Sequence, residues 1–149
     1  MPEIDDLYQE PATAGPDREA ASEGVRKSAV ALILFVAATL AVVSPLHLTG
    51  VIGGGSEPFN PSDAGIAEAV ICVVLAAAAV AAFRNPGGAR RVAVGAVIFA
   101  IIGFLVGLSI TVRGGDAFDV TYHSVLLPVL VVTLVLLLRP RGGAGRIGR

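Results

Sequence analysis

The chain has 149 residues, of which 54% are hydrophobic and only 15% charged, with a net charge of −1 and a mean hydropathy of +0.78. A soluble domain carries about 25% charged residues, so the composition excludes an ordinary water-soluble fold and favours an integral membrane protein. The single cysteine, Cys72, excludes an intramolecular disulfide, a CxxC redox pair and a cysteine-rich metal site.

Residues 1–25 are acidic: Glu3, Asp5, Asp6, Glu10, Asp17, Glu19 and Glu23 stand against one base, Arg18. Such a segment buries too little apolar surface to offset its ordering entropy, so a disordered cytoplasmic tail is expected. Within it Ile4, Leu7 and Tyr8 share a helical face and allow a short docking turn; a solvated tail is the preferred reading.

A transmembrane domain follows over residues 26–139. Crossing the hydrocarbon takes about 20 apolar residues, and four runs meet that length, predicting helices over about 28–48, 64–83, 91–112 and 119–138. The first follows Arg26 and Lys27. Its leader is long and acidic rather than short and basic, so it reads as a retained helix, not a signal peptide. The second run is interrupted by Glu68, and the fourth by Tyr122, His123 and Pro128. Backbone groups in lipid find no water, which makes continuous helices the expected form. Connections at 50–63, 84–88 and 113–116 are short, so neighbours run antiparallel, and an all-α, up-down-up-down four-helix bundle is expected. Ser62 or Asp63 is the expected N-cap of the second helix and Asp119 that of the fourth. Phe59, Phe118 and Tyr122 are assigned to an outer aromatic belt. Arg113, Asp116 and Asp119 read as a solvated outer rim. Residues 140–149 form a basic Gly/Arg-rich tail.

Lys and Arg set the orientation. Arg18, Arg26 and Lys27 precede the first helix, Arg84, Arg90 and Arg91 join the second and third, and Arg139, Arg141, Arg146 and Arg149 follow the fourth. Only Arg113 lies on the other side. That asymmetry predicts both termini in the cytoplasm. The preference for Arg over Lys is a mark of GC-rich genomes, and a bacterial inner membrane is the expected location.

Ionisable residues inside membrane helices are costly and default to functional candidates. Three occur here: His47, Glu68 and His123. Glu68 precedes Arg84 by 16 residues, as His123 precedes Arg139. At about 1.5 Å per residue, both rise roughly 24 Å above those inner anchors. His47, counted from Lys27, comes out about a turn higher. Three helices thus deliver a carboxylate and two imidazoles to one outer layer, with Cys72 a turn below Glu68. Simple packing or interfacial roles account for all three. The functional alternatives are a proton or ligand site built on Glu68 and His123, or a divalent metal or haem held by His47, Glu68 and His123. Two histidines suffice for one haem at most. No cofactor is expected, and metal or haem is the minor alternative.

The third run contains Gly103-x-x-x-Gly107, with Gly95 two turns earlier on a similar face. Small residues at this spacing let helices approach closely. Packing inside the bundle, against Ala76–Ala79, is the preferred role; a homodimer seam is the alternative. No Walker loop, Ser-His-Asp set or H-E-x-x-H occurs. The sequence therefore predicts a non-enzymatic assembly or interaction subunit, whose partners are the lipid bilayer and other membrane proteins or itself, with no nucleic acid. The alternatives are a small transporter or proton-linked channel, and a metal or haem protein.

Overall fold

A computed structural model describes residues 16–53, 55–85 and 88–139. The expectations for Ile4, Leu7 and Tyr8 and for the 140–149 tail lie outside these residues. The regular structure among the described residues is four helices: α1 (Pro16–Leu48), α2 (Pro61–Arg84), α3 (Arg90–Gly114) and α4 (Ala117–Leu138). Each helix includes a span long and apolar enough to cross a membrane. Large apolar residues such as Phe35, Val42, Val73, Phe83, Ile102 and Val125 are exposed on the bundle's outside. A helix hydrophobic on both its buried and exposed faces suits lipid rather than water.

Contacts run from α1 to α2, α2 to α3, α3 to α4, and back from α4 to α1. The core is built from small and branched side chains, among them Ile33, Val36 and Leu40 of α1, Leu75, Ala78 and Ala79 of α2, Ala96, Val97 and Ala100 of α3, and Leu130 of α4. At one end, termed upper, the α1–α2 connection lies across the α3–α4 turn. There Ser56 N donates to Gly114 O at 2.7 Å, and Gly55 bridges to Gly115. At the lower end Arg90 of α3 clamps the end of α4. Its Nε donates to Leu137 O at 2.6 Å and its Nη2 to Arg139 O at 3.1 Å. The last carbonyls of a helix lack partners within it, so the guanidinium satisfies two groups and complements the negative helix end.

Helix ends depart from the sequence expectations. The first helix begins at Pro16, inside the stretch expected to be disordered, and continues into the span for 33 residues, roughly 50 Å. Once a turn is anchored, each further residue costs far less than nucleation. The start of α2 is capped by Asn60, not by Ser62 or Asp63: Asn60 Oδ1 accepts from Ser62 N at 3.0 Å, and Pro61 occupies the first helical position. The start of α4 is capped by Asp116, not Asp119, through a 3.0 Å bond from Asp119 N to Asp116 Oδ1. That shift carries Asp119 into the first helical turn and onto the inward face, where it is fully buried rather than part of a solvated rim. Nor do all three aromatics form an outer belt. Phe59 is buried, and Tyr122 is half-buried with its hydroxyl donating to Thr39 Oγ1 at 3.3 Å. Phe118 is exposed and stacks on Tyr122, ring centres 5.9 Å apart.

Candidate functional site: a buried Glu68–His47–Asp119 group

The inward stripe of α4 runs Asp119, His123, Leu126, Leu130, Thr133 and Leu137. These gaps of three and four keep one helix face toward the core. The inward face of α2 includes Gly65, Glu68, Ile71 and Leu75, and that of α1 includes Val36, Leu40, Val43 and His47. Three apolar stripes therefore become polar in the same upper layer.

There the imidazole of His47 joins two carboxylates. Its Nδ1 lies 2.8 Å from Glu68 Oε2, and its Nε2 lies 2.9 Å from Asp119 Oδ1. All three side chains are at least 95% buried. Of the remaining carboxylate oxygens, Glu68 Oε1 and Asp119 Oδ2 are buried and have no hydrogen-bond partner among the described residues. The described ion pairs include no Lys or Arg on either carboxylate.

The close approach of α1 and α2 makes this contact available. Gly65 is the hinge of that approach: a Cβ there would stand 2.8 Å from Leu48 Cγ, 3.0 Å from Ser44 O and 3.1 Å from His47 Cβ. Ser44 Oγ fixes the same crossing by donating to Gly65 O at 2.7 Å. Above the layer, Phe59 meets the His47 ring edge-on at 6.1 Å. The loop carrying Phe59 is tied down by the Ser56–Gly114 bond and by Phe59 N donating to Ser56 O at 3.0 Å.

His47 and Glu68 therefore meet directly through their side chains. The backbone of His47 lies beside Gly65, where an added Cβ would stand 3.1 Å from His47 Cβ, so it sits about a turn above Glu68, as the anchor count has it. Glu68 pairs with His47 rather than with His123. The carbonyl of Asp119 can only accept, so His123 Nδ1 donates its proton there at 2.9 Å. His123 also packs against Phe104, with ring centres 5.1 Å apart.

Gly107 is what admits that imidazole: a Cβ at 107 would collide with His123 Nε2. Gly103 in turn faces Ile71 of α2, whose Cδ1 would lie 2.6 Å from an added Cβ. Gly95 is different. Nothing stands within 4 Å of its would-be Cβ, so it takes no part in that contact. Cys72 lies below Glu68 and donates to Ala37 O at 3.2 Å.

Among the described residues, no set of three or more His, Cys, Asp and Glu side chains is arranged to hold a metal ion. Both ring nitrogens of His47 already face carboxylates, so a metal or haem iron there would have to displace one of them. The arrangement is instead suited to holding and passing protons. Two hydrogen bonds through one imidazole require two shared protons. They are present when an imidazolium donates to two carboxylates, or when a neutral imidazole joins one carboxylate and one carboxylic acid. Both forms carry a net charge of −1 and differ only in proton position.

Sequence reasoning missed Asp119 and Gly65. The signal for Asp119 was its spacing of four from His123, which places both on one face. Its nearness to the helix start made it resemble a cap. For Gly65 there was no local signal, since a glycine near a helix start looks alike whether or not another helix crosses there. No protein-family model, curated protein or solved structure gives a match to this chain.

Proposed function

We propose that this small polytopic membrane protein acts as a proton-linked transporter or channel, with Glu68, His47 and Asp119 as its proton-handling group. The observation that carries the reading is His47 bonded on both sides to buried carboxylates. Ionisable groups in a membrane bundle are expensive unless paired. This trio forms two bonds yet keeps a net negative charge, with no Lys or Arg among the described residues bonded to it. A group held in that state gains by taking up a proton, and its internal bonds offer a route for passing one on.

The same reading makes the chain an up-down-up-down bundle in a bacterial inner membrane, with both termini in the cytoplasm. Ten of its eleven Lys and Arg residues fall in segments that this topology puts inside. The Ser56–Gly114 bond at one end and the Arg90–Leu137 bond at the other support the topology. The upper layer then faces outward, beneath the 50–60 loop. The rival reading, an assembly or interaction subunit, draws on the acidic tail, the absence of catalytic motifs and the Gly103/Gly107 face. Those two glycine positions are taken up by Ile71 and His123 within the chain, so they require no partner.

The test is proton flux in liposomes holding purified protein and an internal pH-sensitive dye. Flux driven by a pH step is expected for the native chain and lost in Glu68→Gln. Equal flux in native, Glu68→Gln and protein-free liposomes would sink the reading.

A further inference from the structure

We propose that the group binds one exchangeable proton at Glu68 Oε1, while Asp119 and His47 remain a carboxylate–imidazolium pair. This deepens the proton-linked reading and rests on it, but the site itself can be tested without any transport.

Proton counting leads to the site. With two shared protons the trio carries −1, and both bonds of His47 are formed. A further proton cannot enter those bonds, because each already holds one. It must bind one of the two oxygens that have no partner among the described residues, Glu68 Oε1 or Asp119 Oδ2. The resulting group, one carboxylic acid, one imidazolium and one carboxylate, is neutral. An unpartnered neutral hydroxyl in an apolar setting costs far less than an unpartnered ionised oxygen.

Helix position distinguishes the two oxygens. Asp119 is the third residue of α4, after the Asp116 cap. The positive end of a helix favours an anion in its first turn. Glu68 is the eighth residue of α2, beyond the reach of that effect. The helix end thus favours a negative charge at position 119 and gives none of that help at position 68, which assigns the added proton to Glu68 Oε1.

The surrounding charged groups do not reverse this order. From α1 the layer receives His47, and from α4 Asp119 and His123, the latter committed through Nδ1 to a backbone carbonyl. At this level α3 offers Gly107 and no charged side chain; its Arg113 is exposed near the helix end. Asp116 is spent on capping α4, and Glu57 of the loop is exposed. The step is a simple protonation: H⁺ from water adds to a lone pair of Glu68 Oε1, and Oε2 continues to accept from His47 Nδ1–H. Group charge rises from −1 to 0.

Infrared difference spectroscopy of the full chain in lipid vesicles tests this, using protein carrying ¹³C-labelled glutamate side chains. A pH titration is expected to reveal a buried carboxylic-acid band that shifts with the glutamate label, disappears in Glu68→Gln and survives in Asp119→Asn. The label and Glu68→Gln decide the outcome on their own, whether or not Asp119→Asn folds. A band that ignores the glutamate label, or that persists in Glu68→Gln, would overturn the assignment. So would a titration with no such band. Replacing choline chloride by sodium chloride at fixed pH is expected to leave the band unchanged; its loss on sodium addition would make the oxygen a metal-cation ligand and overturn the proton assignment. A Glu68 band without flux would retire the transport reading and leave the site standing. Flux without the band would do the reverse.

Discussion

The upper and lower halves of this bundle are held together by different physics. Below the middle, the helices meet through Ile33, Val36, Leu75, Ala78, Ala96, Val97 and Leu130, and the described polar links between helices are few: Cys72 Sγ on Ala37 O near the middle and the Arg90 clamp at the end of α4. Lipid tails are as apolar as these side chains, so their contact gains dispersion and close fit but little hydrophobic driving force. Above the middle, Glu68, His47 and Asp119 connect three helices through two charged hydrogen bonds. Such bonds exchange no water for protein within the membrane, and breaking one leaves a buried charge alone. The lower half should therefore be tolerant and replaceable, the upper half intolerant and specific.

The sharpest way to break this contrast is Asp119→Ala. It strips His47 of the carboxylate at Nε2 and leaves Glu68 and His47 to share one bond. Removing one partner of a buried pair typically costs about 3–5 kcal/mol, so a large loss of resistance to denaturing detergent is expected by circular dichroism. Glu68→Gln is the informative companion. Its amide oxygen can still accept from His47, and the variant mimics the neutral group, so it should unfold much later than Asp119→Ala. Equal losses in the two variants would mean that the carboxylates are interchangeable, contrary to the roles assigned to them.

Gly107→Leu comes next. The new side chain must push the His123 imidazole out of its place, and overpacking of this kind costs about 1–3 kcal/mol. The bundle should lose stability while its oligomeric state, read by native mass spectrometry, is unchanged. Dissociation of an oligomer with no loss of monomer stability would restore Gly107 to an intermolecular seam. Gly95→Leu serves as the internal comparison. Open space surrounds that position, and the variant should match the native chain unless Gly95 meets a partner.

A smaller effect should follow from opening the loop above the site. Phe59 is buried against His47, and Phe59→Ala removes that cover without touching the hydrogen bonds. Diethyl pyrocarbonate modification of His47, followed by mass spectrometry, should then accelerate about tenfold, the equivalent of weakening local closure by roughly 1.4 kcal/mol. Unchanged protection of His47 would show that something other than the loop seals the layer.

These contrasts also explain which parts of the molecule were legible in its sequence. Four helices were plain, because a run of about 20 apolar residues has few other physical outcomes. Counting to a basic anchor puts Glu68 and His123 at one level, since helical rise is nearly constant. The partners were hidden. That Glu68 meets His47, and that Asp119 completes the group, depends on helix rotation and on the α1–α2 crossing at Gly65, neither of which local spacing encodes. The caps failed for a related reason. Asn60, Ser62 and Asp63 are all competent N-caps, and Pro61 decides among them only once its place at the first helical position is known.

The mildest test belongs to the lower half. Thr133 is fully buried in α4, yet its hydroxyl donates to Val129 O, a carbonyl of its own helix, at 2.7 Å. It resembles the upper polar residues by burial and differs in that its bond joins no second helix. Val has nearly the same shape, and the helix itself supplies Val129 O with a donor. Thr133→Val should therefore change stability by no more than about 1 kcal/mol and leave proton flux intact. A loss of flux would show that the proton route reaches past the upper layer to Thr133, and the division into a specific upper half and a replaceable lower half would then fail at its simplest point.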